Sequence, residues 1–131
     1  MGIKGFSRER QRINGLYRKL IACDPVKFPR PREQMNAPTA RGVYLILNPR
    51  GTVLHVGSTP RAANGIKQRL YGHLQDKSSF VNVYMKHDGD RLRSGYMFKY
   101  VVVNDPRQRA LLEAYAIGQL LPKHIGTGQR D

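Results

Sequence analysis

Tyr44, His55, Arg69, His73 and Glu113 are the side chains of this sequence best suited to chemistry on a phosphate ester. Tyr44 closes a Gly42-Val43-Tyr44 triplet, and after ten residues comes His55-Val56-Gly57-Ser58. Arg69 lies twelve residues beyond Gly57, and His73 stands four further on, the spacing that puts two side chains on one side of a helix. Hydrolysing a phosphodiester takes a group that removes a proton from water, and positive charge set against the phosphoryl and leaving oxygens. Tyr44 or His55 can take the proton. The planar fork of Arg69 can hold two non-bridging oxygens. A carboxylate such as Glu113 can anchor a hard cation such as Mg²⁺, which keeps most of its waters.

Glu113 stands out by its surroundings. From Arg91 to Arg130 the only acids are Asp105 and Glu113, and Asp105 precedes Pro106 as a helix cap. Each residue also has a plainer reading. Glu113 could pair with Arg109 one turn earlier. Tyr44 and His55 could be ordinary strand residues, and Arg69 and His73 a solvated helix face. Those plain readings would all have to hold together at one spacing.

The elements that must position these residues follow from pattern. Ser7 is suited to cap a helix over Arg8 to Ala22, in which Ile13, Leu16, Tyr17, Leu20 and Ile21 fall on one apolar face. Asp24-Pro25 ends it, and Pro25, Pro29, Pro31 and Pro38 punctuate an irregular, extended connector. Val43–Leu47 and Thr52–Val56 are strand-like and flank the turn Asn48-Pro49-Arg50-Gly51. A two-residue loop there pairs Tyr44 with His55 on one face; a three-residue loop with Gly51 as a bulge slips the register and separates them. A helix follows over Ile66 to Gln75. Ser78 to Lys86 suits a strand or a short helix equally, and Asp88-Gly89-Asp90 breaks it. Met97 to Val103 reads as a strand. Asp105-Pro106-x-Gln108 starts a last helix that ends at Pro122. The order predicts an α+β fold.

Taken together, these motifs resemble the GIY-YIG nuclease superfamily over about residues 41 to 125. The residues in question are Gly42-Val43-Tyr44, the ten-residue gap, Gly57-Ser58, Arg69-x-x-x-His73, and Glu113 in the terminal helix after a third strand. The resemblance implies a three-stranded antiparallel sheet flanked by helices, to which this chain adds an N-terminal helix. Residues 1–40 would be a basic helix and connector packed on a nuclease domain of residues 41–131. It implies hydrolysis of DNA phosphodiesters with one Mg²⁺ or Mn²⁺ ion held by Glu113, and a catalytic set of Tyr44, His55, Arg69, His73 and Glu113. His55 stands where the family has its second tyrosine. Tyr44 matches the motif and is the leading base, with His55 assisting. Both residues are implied to reach the site, by a bulge or by the strand's twist. The family's Asn after the proline has no counterpart in Pro122-Lys123-His124, which leaves that role empty or to His124.

Composition points the same way. Lys and Arg number 23 against 9 Asp and Glu in 131 residues, a net charge of +14, which calls for a polyanionic partner. Nucleic acid is first among such partners, and the resemblance implies DNA, expected to be contacted by Ser58, Arg61, Lys67 and Lys77 among many basic residues. The chain is one domain long, with no apolar run of membrane-span length and no signal-like start. The lone Cys23 excludes an internal disulfide and a cysteine zinc site. A cytoplasmic or nucleoid-associated enzyme follows. With no separate recognition module, cleavage is expected to be structure-selective or weakly sequence-specific. Two other readings fit the charge: an inactive nucleic-acid-binding module on the same fold, and a basic RNA-associated protein.

Overall fold

The strand β2 (Gly42–Leu47) is buried at every residue, and the remaining elements are arranged around it. A computed structural model of the chain describes residues 3–59 and 63–125, with side chains from residue 8 on. Before β2 come helix α1 (Ile3–Ala22) and a two-residue strand β1 (Val26–Lys27). After it come β3 (Val53–Ser58), α2 (Gly65–Leu74), a π-helical segment (Phe80–Tyr84), a 3₁₀ turn (Gly89–Arg93), β4 (Met97–Val102) and α3 (Pro106–Leu120). The sheet is antiparallel in the order β1-β4-β2-β3. It therefore has one strand more than the three expected. The addition is Val26–Lys27, drawn from the connector that was expected to be irregular. Val26 pairs with Phe98, and Phe28 N–H donates to the Tyr96 carbonyl just beyond, so the strand ends before Pro29, which has no N–H to give.

Alternation of side chains splits the sheet into two packed faces. Tyr44, Ile46, Leu54 and Phe98 lie in one core with Ile66, Leu70 and Leu74 of α2 and with Phe80 and Leu92. Val43, Leu45, Val56 and Val101 lie in the other, against Ile13 and Leu20 of α1 and Leu112 and Ala116 of α3. Fully burying each of these large side chains contributes about 1.5–3 kcal/mol, and β2 serves both cores.

The β2–β3 hairpin takes the three-residue form. Gly51 has φ 87°, a value natural to glycine, its N–H bonds the Asn48 carbonyl at 2.9 Å, and Asn48 N–H bonds the Thr52 carbonyl at 3.0 Å. That loop alone would separate Tyr44 and His55. A second irregularity follows: the register shifts between Ile46 and Leu47, so that Leu47 pairs with Val53 but Ile46 pairs with His55. Leu54 is the extra residue of this bulge. Tyr44 then lies opposite Gly57, and His55 returns to the face of Tyr44.

Helix α1 extends past Ser7, which was expected to cap it. A capping preference is worth about 1 kcal/mol, and nothing upstream of Ser7 stops the helix. Ile21, expected on the apolar face, is exposed. The Asp105 cap forms as expected, its side chain accepting from Gln108 N–H at 3.0 Å, with Pro106 in the first turn. No helix among the described residues is long and apolar enough to cross a membrane.

Candidate active site

The sheet gives Tyr44 its place, and a glycine gives it room. A Cβ on Gly57 would collide with the Tyr44 hydroxyl, because the phenol ring lies across β3 at that residue. Passing over Gly57, the hydroxyl reaches His73 Nε2 on α2 at 2.6 Å. The other ring nitrogen, His73 Nδ1, is 2.6 Å from Ser78 Oγ, which also accepts from Val81 N–H at 3.2 Å. A buried chain Tyr44–His73–Ser78 thus links the sheet to the start of the π-helical segment.

Burial dominates the electrostatics here. It pushes the Tyr44 phenol up to about 12, with the Arg69 guanidinium beside it pulling the other way. It holds His73 well below the usual imidazole range, and the nearby His55, Arg69 and His124 add to the effect. His55 is pushed down to about 3, by burial first and then by His124 and Arg69. Both imidazoles are therefore neutral at physiological pH.

His55 sits beside this chain rather than in it. Its ring stacks on Phe80 at 4.9 Å and 17°, and its centroid is 6.0 Å from that of Tyr44. The hydrogen-bond partner of Tyr44 is His73, not the His55 expected to assist it. His124 lies 5.8 Å from the His55 ring, held by its own N–H to the Leu54 carbonyl at 2.8 Å. Pro122-Lys123-His124 thus runs along the outer edge of β3 and puts His124 beside the site. His55 Nδ1, Arg69 Nε and His124 Nε2 are buried with no partner in the protein. Arg69 Nε is a donor and each imidazole nitrogen a donor or acceptor according to tautomer, so these groups call for a polar partner from outside the protein.

Glu113 arrives from the opposite layer. The buried Arg109 donates to the carbonyls of Val103 and Asn104 at 3.0 and 3.1 Å, which fixes the start of α3 against the end of β4. Arg109 is thereby committed, and Glu113, one turn on, instead accepts from Ser58 Oγ at 2.8 Å. Because β3 is an edge strand, α2 on one face and α3 on the other both reach its end. His55, Ser58, Arg69, His73, Phe80 and Glu113 line one cavity of about 280 Å³ there.

A lone carboxylate fits Mg²⁺ or Mn²⁺, which takes one or two carboxylates and completes its shell with water and substrate phosphate. It does not fit a structural zinc site, and among the described residues no group of three or more His, Cys, Asp or Glu could hold an ion.

Of the expected DNA contacts, Ser58 is bonded to Glu113. Lys67 is half-buried on α2 and lines a separate groove with Thr39, Asn64 and Tyr71. Lys77 is exposed next to Ser78, and Arg61 lies outside the described residues. Among the described residues two ion pairs form, Arg93–Asp90 and Arg107–Glu9, so most of the basic excess faces solvent unneutralised. Sequence reasoning missed Ser78 and Phe80. The signal for Ser78 was its place five residues after His73, just past the end of α2. It also missed Thr59, whose Oγ1 accepts from Gly42 N–H at 2.9 Å and closes the end of the hairpin beside the site.

No family model matches the chain, and no curated protein matches it. Among solved structures it is similar to the GIY-YIG N-terminal endonuclease domain of UvrC from Thermotoga maritima bound to its catalytic divalent cation, magnesium. The identity is 26%, the similarity covers 67% of this chain and 85% of that chain, and the TM-score is 0.49. Two point mutants of the same domain are similar at 26% identity, with TM-scores of 0.49 and 0.48.

Proposed function

We propose that the protein is a divalent-metal-dependent DNA endonuclease, structure-selective or weakly sequence-specific, with its active site at the end of β3. The observation that carries this reading is the Tyr44–His73 hydrogen bond of 2.6 Å: the fully buried Tyr44 lies behind the cleft, and His73 joins it to the cavity that Arg69 and Glu113 also line.

A phenol held near pKa 12 is a poor base alone. Its partner changes that. With the His73 proton on Nδ1 and donated to Ser78 Oγ, Nε2 accepts from the Tyr44 hydroxyl. As Tyr44 takes a proton from the attacking water, it passes its own to His73; burial disfavours the resulting imidazolium, which forms only as negative charge builds on the phosphate beside it, so no free phenolate has to persist. Arg69 stabilises negative charge on the phenol oxygen and on the phosphoryl oxygens. Glu113 and its Ser58 partner would hold Mg²⁺ or Mn²⁺, which when bound neutralises charge on the phosphoryl and leaving oxygens. The net charge of +14 draws DNA to the surface.

A second reading is a DNA-binding module without activity. It is favoured by His55, which sits in the position of the family's second tyrosine yet is stacked on Phe80 and has a buried, unpartnered Nδ1.

Nicking of supercoiled plasmid separates the two. The enzyme reading expects relaxed plasmid in Mg²⁺ and none in EDTA. Plasmid that is bound but stays supercoiled would leave the module. An equal-length RNA as competitor checks the preference for DNA.

A further inference from the structure

We propose that the π-helical segment Phe80–Tyr84 is a stacking platform for an unpaired nucleobase, so that the DNA cut by this protein carries a single-stranded nucleotide beside the scissile phosphate. The inference rests on the proposed DNA reading and adds the substrate class.

Phe80 is buried and lines the active-site cleft. The His55 ring is nearly parallel to it, at 4.9 Å and 17°, and so is the Tyr84 ring, at 5.7 Å and 13°. A stack of near-parallel rings therefore runs from the cleft to Tyr84, which is 40% exposed. Next to it Val83 is 66% exposed. Scattered apolar residues on a surface are ordinary. An aromatic ring aligned in a stack that begins at the reacting end of the molecule is a surface of defined orientation, and every base has a face that fits it.

The backbone is built to hold that ring. Met85 N–H bonds the Phe80 carbonyl, an i→i+5 link, so each turn takes more than four residues. Residues 80 and 84 then come nearly into line along the axis, which lets their rings stack. π-Turns are rare and concentrate at functional sites. Here the turn is followed by two consecutive non-glycine residues in the left-handed region, Lys86 at φ 54° and His87 at φ 66°. Such conformations persist only where the surroundings enforce them. His87 N–H to the Val81 carbonyl at 2.9 Å and His87 Nδ1 to Asn82 Oδ1 at 3.1 Å do so.

The occupant follows from charge and shape. The exposed Lys77 and Lys86 bracket the segment, while the neighbouring Asp76 and Asp88 accept from the backbone N–H groups of Gly89 and Arg91, so the two lysines are left to meet a phosphate. A base inside a duplex presents no face to the side. It must first leave the stack, at a cost of a few kcal/mol that a single-stranded base does not incur. A flap, an overhang or a fork presents such a base next to its junction phosphate.

The test uses two DNAs of equal length at one salt concentration, without divalent metal: a fully paired duplex, and a fork with 2-aminopurine at the first unpaired position. Wild type should bind the fork about tenfold more tightly than the duplex, within the range that base–aromatic stacking supplies, and should quench the 2-aminopurine fluorescence. Tyr84→Phe should keep both properties. Tyr84→Ala should lose the preference and the quenching and bind the duplex as wild type does. If Tyr84→Ala does not fold, the wild-type quenching together with the intact behaviour of Tyr84→Phe decides. A wild type without preference or quenching overturns the platform, as does a Tyr84→Ala protein that retains them. Failure to bind either DNA would overturn the DNA reading instead, and would turn the exposed Tyr84 and Val83 toward a protein partner.

Discussion

The Tyr44 hydroxyl and His73 Nε2 lie 2.6 Å apart, one on the central strand and the other on the helix packed over it, with no water-accessible path needed between them. Their pairing makes the activity of one depend on the other. Tyr44→Phe keeps the ring and removes the hydroxyl, and cleavage should fall about 10²- to 10⁴-fold, the range of general base catalysis. His73→Ala should fall by a similar factor, and the double variant should be little worse than either single one. Additive losses in single-turnover assays would show that the two act separately.

Among the described residues Glu113 is the one acid that lines the cleft. Glu113→Ala should abolish cleavage in Mg²⁺ or Mn²⁺ while DNA affinity stays unchanged or rises, since a negative charge is removed from a basic surface. The Ser58 hydroxyl it leaves behind is half-buried and can turn to water. Thermal melting should therefore change little. Wild-type cleavage by Glu113→Ala would remove the residue from the site.

Arg69→Lys retains the charge and loses the fork. Gel-shift affinity should remain close to wild type, and the cleavage rate should drop about a hundredfold, as for other single donors to a developing oxyanion. An Arg69→Lys protein cutting as fast as wild type would make Arg69 a general phosphate contact.

Affinity for DNA should depend steeply on salt. Six phosphate contacts would lower it about a thousandfold between 50 and 200 mM. A flat dependence, read by fluorescence anisotropy, would argue against any nucleic-acid role for the net +14.

Acid should destabilise the fold earlier than the few carboxylates alone would explain. Burial lowers His55 to about 3 and depresses His73 and His124 as well. In the denatured chain these side chains take up protons near pH 6.5. Between about pH 6.5 and 3 the unfolded state thus binds more protons, so stability is fully present above about pH 7 and declines as pH falls through that window. At pH 5 the loss is about 2 kcal/mol for a histidine kept neutral by the fold. Melting temperatures from pH 8 to pH 4 should drop accordingly, and His55→Gln should flatten the decline. By the same burial His55 does not titrate near neutrality, so a step in cleavage rate near pH 6.5 that survives in Tyr44→Phe would contradict its placement.

Much of this arrangement is legible in the sequence, for reasons that differ by element. Asp105, Pro106 and Gln108 specify the start of α3 locally, and that helix begins where they place it. The β2–β3 hairpin and α2 follow from strong short-range patterns. The π-helical turn does not, because Phe80, Val81, Val83 and Tyr84 satisfy strand and helix spacing alike and only packing against α2 and the sheet decides. Strand β1 depends on pairing with Phe98, about seventy residues away, which no local signal encodes. Spacing singled out His55, Arg69, His73 and Glu113, which line one cavity, but it did not give the partners of these residues. Ser58 with Glu113, and His73 with Tyr44, are contacts between distant segments, and the short-range contact of His73 with Ser78 depends on how the chain leaves α2.

The bulge at Leu54 bears on how relatives of this chain should be sought. A hairpin one residue shorter, with a straight ladder in place of the bulge, would leave His55 opposite Ile46 and Gly57 opposite Tyr44. Conversely, a hairpin of the present length without the bulge would set the branched side chain of Val56 opposite Tyr44 and turn His55 to the far face. The distance along the chain between the two motifs is therefore a poor invariant. What must be preserved is that distance less the number of unpaired residues, and a search keyed to a fixed gap would pass over chains that build the same cleft and accept some that cannot.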